Sequence, residues 1–276
     1  MRLSIRFTAE LALPLPTPTT LMVEAADLGA AQCLEDSRLY VAPFIVAEPF
    51  RDFYQNPCRR LLMPAGDVRL EYAATVSLPD ARPAEGDEDE ADEADALHLP
   101  TETLLYTLPS RYCQSDLLVP MAEDLFGAGR PGFARVQAIC DWINTHVTYQ
   151  YGTSDTATSA YDTATLRVGV CRDFAHLGIA FCRALNVPAR YVSGYCLELD
   201  PPDFHAYFQA WVDGRWINFD PTSPIARAAL VQVAAGRDAA DCAWATFYGY
   251  GETKWLSVGV TETTEAEAGT KGDTDA

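Results

Sequence analysis

GVCRDFAHLGIAFCRAL, residues 169–185, is the stretch of this sequence that decides the fold. Its apolar side chains recur at the i, i+3, i+4, i+7 spacing of a helix that buries one face. They are Phe174, Leu177, Gly178, Phe181 and Leu185. Gly169 allows a sharp turn into this helix, and Pro188 marks its end because proline cannot continue a helix. Cys171 therefore lies in the first turn, where the backbone N–H groups and the helix dipole favour a reactive thiolate.

A histidine and an aspartate follow this helix at spacings that suit a catalytic site. His205 comes 34 residues after Cys171, and Asp220 comes 15 residues after His205. The chain between His205 and Asp220 alternates as two strands around the tight turn Asp213-Gly214, which predicts a hairpin with these two residues at its adjoining ends. A nucleophilic thiol needs a base within hydrogen-bond reach and a third group that orients the base. Cys171, His205 and Asp220 are therefore the candidate catalytic residues.

Spacing alone leaves structural interpretations of the same residues open. A free cysteine is usually buried as a small hydrophobic residue, and a strand histidine such as His205 is often buried and hydrogen-bonded. His176 lies five residues beyond Cys171 on the helix and does not share its face, so we expect a structural role for it. Asp173 is expected to cap or neutralise the first turn rather than to take part in the chemistry.

Four blocks of the sequence carry a resemblance to a known family. They are GVCRDFAHL at 169–177, VPARYVSGY at 187–195, HA at 205–206 and FDPT at 219–222. In this order and at these spacings they resemble the bacterial transglutaminase-like family of papain-like cysteine enzymes. The opening MRLSIRF and the block GRDAAD at 236–241 are similar to further segments of that family. The resemblance implies Cys171 as nucleophile, His205 as base and Asp220 as the residue that orients the base.

The same resemblance implies an aromatic residue near the site, just after the helix that precedes Cys171. Tyr149 is the candidate oxyanion donor on this ground, with Gln150 and Tyr151 as rivals. Tyr207 stands where many relatives have tryptophan, and it offers a similar aromatic body with a polar tip.

The predicted function is cysteine-dependent acyl transfer on an amide, either a peptide bond or a glutaminyl side chain, through a thioester. Water as the acceptor would make the protein a peptidase or amidase, whereas a lysine amine would give a cross-link. The alternative from a different class is a non-catalytic binding module that keeps the fold. We expect a peptide or protein amide substrate as the partner, and the sequence leaves the oligomeric state open.

The predicted fold class is α+β, with four regions along the chain. Residues 1–82 alternate as short strands and predict an antiparallel β-sandwich, with a hairpin at Pro64-Ala65-Gly66-Asp67. Residues 83–97 predict an acidic disordered loop, and residues 98–260 a papain-like catalytic domain that ends in a strand. In it a cysteine-bearing helix packs on an antiparallel sheet that carries the histidine and the aspartate. Residues 261–276 predict a disordered acidic tail.

The charge of the chain excludes some classes of partner. The formal net charge is −19, of which residues 85–95 contribute −8 and residues 262–276 contribute −4. The remainder is moderately acidic, and this disfavours nucleic acid or an anionic membrane as a partner, because both need basic patches. We also find no signal peptide and no apolar run of the roughly 18 residues that a membrane helix needs, so we expect a cytoplasmic location.

The cysteines and acidic residues do not predict a metal or cofactor site. The eight cysteines include no C-x-x-C pair, which disfavours a zinc site or a disulfide framework. A metal site built from Cys171, Asp203, His205 and Asp220 lacks the usual ligand spacing, and no acidic loop has the spacing of a calcium site. We therefore expect no cofactor and reduced thiols, which suit a catalytic cysteine.

Overall fold

The computed structural model describes residues 1–79, 96–223 and 229–263. The acidic run 85–95 and residues 264–276 of the predicted tail lie outside the described residues. Within the described part of the chain, no helix combines the length and the apolar character that a membrane crossing requires.

The described N-terminal region forms most of two four-stranded antiparallel sheets. One strand from the C-terminal part of the chain completes each sheet. The first sheet has the order β14-β1-β6-β3 and the second β13-β2-β5-β4. Their bounds are β1 Arg2–Leu13, β2 Thr17–Leu21, β3 Cys33–Ala42, β4 Glu48–Arg51, β5 Pro57–Met63, β6 Gly66–Ser77, β13 Ala245–Phe247 and β14 Glu252–Glu262. Alternate residues of β1 are buried, and side chains of both sheets join one apolar core, as the period-two pattern predicts.

Two details of this region differ from the sequence prediction. The hairpin predicted at 64–67 is wrong, because β5 pairs with β2 and β4 while β6 pairs with β1 and β3, so the turn carries the chain between sheets. The last strand, β14, was assigned to the catalytic region, but it pairs with β1 from Leu3 to Ala12. Periodicity shows which face of a strand is buried, but it does not show which other strands it pairs with.

The second half of the described chain packs helices on a third antiparallel sheet. The helices are α1 Ser115–Ala122, α2 Phe133–His146, α3 Ala160–Leu166 and α4 Cys171–Ala184, with a 3₁₀ turn at Thr101–Thr107 and a π-helical turn at Glu123–Gly127. The sheet has the order β11-β10-β9-β12, made of β9 Ala189–Cys196, β10 His205–Val212, β11 Arg215–Phe219 and β12 Leu230–Gly236. A short parallel pair, β7 Thr148–Tyr149 and β8 Val168–Gly169, precedes α4.

Helix α4 is the centre of this region, as the sequence predicts. Every residue from Asp173 to Ala184 is buried, and α4 packs on β10 and β9 and against the three other helices. Two elements were not predicted. They are helix α3, Ala160–Leu166, and strand β12, Leu230–Gly236. Strand β12 depends on its pairing with β9, which a local pattern does not record. Helix α3 does have a local signal, the capping box formed by Ser159 and Asp162.

Two amide side chains of the N-terminal region cover the edge strand of the third sheet. Asn56 Nδ2 donates to the Ala235 carbonyl at 2.9 Å, and the Ala235 N–H donates to Asn56 Oδ1 at 2.8 Å. Gln32 makes the same pair of bonds with the backbone of Gln232, at 2.9 and 2.8 Å. These side chains satisfy backbone groups of β12 that an edge strand otherwise leaves unpaired. The N-terminal region therefore stabilises the sheet that carries the histidine.

This arrangement predicts that Asn56→Ala destabilises the whole chain. The substitution leaves the buried N–H and carbonyl of Ala235 without these partners, which should lower the free energy of unfolding by about 2–4 kcal/mol. Urea denaturation measures the change. Gln137→Ala is the control, because its amide donates to Asp141 at 2.8 Å in an exposed contact along α2, and we expect it to cost less than about 0.5 kcal/mol. Equal losses for the two variants would contradict the role of Asn56.

Candidate active site

Cys171 begins α4, and the residues around it shape the first turn. The carboxylate of Asp173 is fully buried and accepts a hydrogen bond from the Val170 N–H at 2.9 Å, so it caps the helix as predicted. A Cβ added at Gly169 would lie 2.7 Å from the Asp173 Cβ, which is why this position needs glycine. Cys171 itself is partly exposed and its sulfur is a free thiol.

A polar cluster fixes the preceding loop beside Cys171. Ser154 Oγ donates to Asp173 Oδ1 at 3.0 Å. Arg172 Nη2 donates to Ser154 Oγ at 2.7 Å and to Asp173 Oδ1 at 3.2 Å, and it also bonds the Asp155 carbonyl. No pattern in the sequence indicates this role of Ser154, because its link to the helix depends on the path of an irregular loop. These contacts hold the first turn of α4 and the preceding loop together without involving the sulfur.

The predicted hairpin brings His205 and Asp220 into direct contact. His205 lies at the start of β10, and Asp220 follows the last residue of β11. The His205 Nε2 and the Asp220 Oδ2 are 2.8 Å apart, and their side chains are only 1% and 3% exposed. A carboxylate this close to a buried imidazole fixes the orientation of the ring.

The other side of the His205 ring faces Cys171. The nearby Cys171 sulfur contributes to the raised pKa of the imidazole. Asp220 occupies Nε2, which leaves Nδ1 for the sulfur, and Nδ1 has no hydrogen-bond partner among the described residues. The contact is therefore looser than the one with Asp220, as is common for a nucleophile and its base without substrate.

Asp220 is held in place by residues on both sides. Its Oδ1 accepts hydrogen bonds from the Thr222 N–H at 3.0 Å and from the Thr222 hydroxyl at 2.6 Å. Asn144 of α2 donates to the Pro221 carbonyl at 3.2 Å. Thr222 lies in the FDPT block, but the sequence assigned it no role. A threonine that follows an aspartate by two residues can form such a turn, so the sequence itself contains a signal for this contact.

The electrostatics of the pair favour a charged imidazole. Burial lowers the pKa of His205, but the hydrogen bond with Asp220 and the nearby Cys171 sulfur outweigh burial and raise the pKa to about 9. At neutral pH the ring therefore carries a proton that it can give to a leaving group.

Tyr149 lies near the nucleophile, where the resemblance placed an oxyanion donor. Strand β7 pairs with β8 so that Tyr149 lies opposite Gly169, two residues before Cys171. Burial raises the pKa of Tyr149, and the nearby Cys171 sulfur and Tyr151 hydroxyl raise it further, so the phenol keeps its proton.

His176 does not belong to this group. It is fully buried, and its Nε2 accepts a hydrogen bond from the Ala239 N–H at 3.1 Å. Its ring lies between those of Tyr112 and Tyr191, each with a centroid distance of 5.1 Å. Burial, together with the charges of two nearby arginines, lowers its pKa, so the ring is neutral. The expected structural role of His176 agrees with these contacts.

Asp203 lies just before His205, but its contacts are local. Its carboxylate accepts a hydrogen bond from the Phe204 N–H at 2.7 Å, and burial raises its pKa. In residues 1–79, 96–223 and 229–263, no group of three or more histidines, cysteines and acidic residues is arranged to hold a metal ion.

Comparison with known proteins places this site in a family. The sequence profile of the transglutaminase-like superfamily matches residues 120–221, a range that includes Cys171, His205 and Asp220. A protein from Cytophaga hutchinsonii with a known crystal structure is 38% identical to this chain. The match covers 96% of this chain and 92% of that protein's chain, and the two structures superimpose with a TM-score of 0.87. This chain belongs to the transglutaminase-like superfamily. The protein of C. hutchinsonii is provisionally named a cysteine protease.

Curated members related to this transglutaminase-like chain are uncharacterised. One from Mycobacterium leprae is 36% identical over 120 residues, which is 39% of this chain and 42% of that protein. One from Mycobacterium tuberculosis is 34% identical over 143 residues, which is 46% of this chain and 45% of that protein. The chain thus spans less than half the length of these relatives.

The pKa of His205 predicts how stability depends on pH. Since folding raises this pKa from 6.5 to about 9, the stabilisation is fully present below about pH 6.5 and is lost as the pH rises through about 9. We expect Asp220→Asn to lower the free energy of unfolding by on the order of 3 kcal/mol at pH 6 and by much less at pH 10. Urea denaturation at the two pH values measures the difference.

Asp213→Asn is the matched control for this measurement. Asp213 is exposed in the hairpin turn and has a φ of 53°, a conformation that asparagine adopts readily. We expect it to change stability by less than about 0.5 kcal/mol at both pH values. A loss for Asp220→Asn that is the same at pH 6 and pH 10 would contradict the raised pKa.

Proposed function

We propose that this protein is a cysteine-dependent amide hydrolase in which Cys171 is the nucleophile, His205 the acid and base, and Asp220 the group that orients the histidine. One observation carries the proposal: a buried imidazole is bonded to a carboxylate at 2.8 Å, and the thiol at the N-terminus of α4 is near enough to affect the pKa of the same ring. The protease name of a relative that matches nearly the full chain supports hydrolysis.

The proposed reaction begins with the proton on His205 and the negative charge on the Cys171 sulfur. The sulfur attacks the carbonyl carbon of the amide, and the carbonyl electron pair moves onto the oxygen. The Cys171 N–H and the Tyr149 hydroxyl are the proposed donors to this oxyanion. Each donor of this kind typically contributes on the order of 2.7–4 kcal/mol to transition-state stabilisation.

The intermediate then collapses in two stages. The C–N bond breaks, the leaving amine takes the proton of His205, and a thioester on Cys171 remains. His205, now neutral, removes a proton from water as the water oxygen attacks the thioester. The C–S bond breaks, the carboxylic acid leaves, and the thiolate and imidazolium are restored. Asp220 holds the ring in one orientation and stabilises its positive charge throughout.

The binding-module alternative explains less of this region. A module that only binds has no need for a partly exposed thiol beside a buried histidine and carboxylate. Burying an ionisable pair costs several kcal/mol per ion unless the geometry compensates. Catalysis by the cysteine explains why the chain buries this pair next to Cys171.

Thiol reactivity tests the role of Cys171 directly. We expect iodoacetamide at pH 6.5 to alkylate Cys171 at least tenfold faster than Cys33. Cys33 is the reference because it is exposed and lies outside the proposed site. The six other cysteines are buried and should react more slowly still. His205→Ala should reduce the rate at Cys171 to that at Cys33, as followed by peptide mass spectrometry. Equal rates at Cys171 and Cys33 in the unmutated protein would support the binding module instead.

The acceptor is tested with a glutaminyl peptide in the presence and absence of cadaverine. We expect the free acid, or cleavage of the peptide bond, under both conditions, and no product at all with Cys171→Ala. Mass spectrometry separates the acid from the amine adduct. A predominant cadaverine adduct would replace hydrolysis by amine transfer while leaving the thioester mechanism intact.

A further inference from the structure

Tyr151 lies in an exposed turn that precedes the helix of the nucleophile. Residues 148–152 are exposed without interruption, and the Tyr151 side chain is 52% exposed. The Thr153 hydroxyl donates to the Gln150 carbonyl at 2.7 Å, and Gly152 has a φ of 78°, a conformation that favours glycine. The bond from Thr153 closes the turn, with Tyr151 at its tip.

Both ends of this turn are attached to the segment that carries Cys171. Before the turn, the Gln150 N–H donates to the Gly169 carbonyl at 2.9 Å. After the turn, Ser154 Oγ donates to Asp173 Oδ1 at 3.0 Å. The turn is therefore fixed relative to the N-terminus of α4, although solvent surrounds its tip.

The rings of Tyr151, Tyr149 and Phe174 contact one another in a row. The ring centroids of Tyr151 and Tyr149 are 5.5 Å apart, and the two rings are nearly perpendicular, at 80°. The Tyr149 ring lies 5.6 Å from that of Phe174, which follows Cys171 by three residues in α4. Phe174 is buried, and Tyr149 is 41% exposed. The two tyrosines thus form an exposed aromatic surface that begins at the first turn of α4.

The charges beside this surface favour an uncharged ligand. The Asp173 carboxylate is fully buried and accepts hydrogen bonds from the Val170 N–H and from Arg172. The Asp155 carboxylate accepts a hydrogen bond from the Thr158 N–H at 3.0 Å, and Arg172 bonds the Asp155 carbonyl. Since Arg172 contacts both acidic residues, its positive charge offsets theirs. The turn therefore offers aromatic rings rather than a carboxylate for a cationic group.

We propose that Tyr151 is a specificity-determining residue: its ring binds an aromatic side chain in the acyl part of the substrate while Cys171 attacks the carbonyl carbon. This inference rests on the proposed function. An acyl group that reaches the Cys171 sulfur lies beside the start of α4, where the two tyrosines are exposed, so the substrate itself covers this surface. A tyrosine suits this role because its ring supplies a large contact area at a low cost in side-chain entropy.

Two esters that differ only in their acyl group test this role. They are p-nitrophenyl acetate and p-nitrophenyl 3-phenylpropionate, and only the second has an aromatic ring in its acyl group. With both, the sulfur attacks the carbonyl carbon, the bond to the aryl oxygen breaks, p-nitrophenolate leaves, and a thioester forms on Cys171. Absorbance gives the two rates on the full chain, and mass spectrometry assigns the thioester to Cys171. Each rate is divided by the rate with N-acetylcysteine, and the ratio of the corrected rates is the acyl preference.

We expect the unmutated protein to prefer the 3-phenylpropionyl group by about tenfold or more, and Tyr151→Ala to lower this preference by about fivefold. Tyr151→Phe should keep the preference to within about twofold, because it retains the ring. Tyr161→Ala is the matched control, because Tyr161 is 47% exposed on α3, away from the turn, and it should leave the preference unchanged.

Four results would overturn the inference. They are no preference in the unmutated protein, an unchanged preference in Tyr151→Ala, and a loss in Tyr151→Phe as large as in Tyr151→Ala, which would assign the effect to the hydroxyl. The fourth concerns p-nitrophenyl 6-aminohexanoate, whose acyl group ends in a cation. An equal dependence of its rate on Tyr151 would mean that the surface does not select aromatic groups. Failure of the proposed function is distinguishable, because neither ester would then form a thioester on Cys171 of the unmutated protein.

Discussion

The buried contact between His205 and Asp220 is the interaction on which the rest of the site depends. Both side chains are almost completely removed from water, and an unpaired charge there would cost several kcal/mol. The carboxylate is therefore held by Thr222 and its loop by Asn144, while the imidazole is oriented by the carboxylate. The thiol acts on the opposite side of the same ring. The charge of the His205 ring and its orientation both follow from this one pair.

The sheet that carries the pair depends in turn on the N-terminal region. Its edge strand β12 is covered by the side chains of Asn56 and Gln32, which bond the backbone as a neighbouring strand would. Tyr54 adds a bond from its hydroxyl to Asp241 at 2.8 Å, just beyond β12. The N-terminal sheets therefore stabilise the reactive region, and strands from the C-terminal end complete those sheets in return. The two halves of the chain are interdependent.

Features set by local periodicity could be predicted from the sequence. The buried face of α4, the alternation of β1 and the hairpin between His205 and Asp220 each follow from spacing within one short segment. Features that depend on distant partners could not. The pairing of β14 with β1, the strand β12 and the link from Ser154 to Asp173 arise only when segments far apart in sequence meet. Thr222 falls between these two groups. Its turn with Asp220 is local and could be predicted, but its role in holding a buried carboxylate depends on the fold.

A thioester between the Cys171 sulfur and an amide substrate is the proposed intermediate on which the mechanism depends. Intact-protein mass spectrometry after rapid acid quenching, with a library of unstructured peptides as substrate, detects such an intermediate. We expect one acyl adduct per chain, located on Cys171, released by neutral hydroxylamine, and absent from Cys171→Ala. Peptide turnover without any such adduct, or an adduct on a different residue, would rule out Cys171 as the nucleophile.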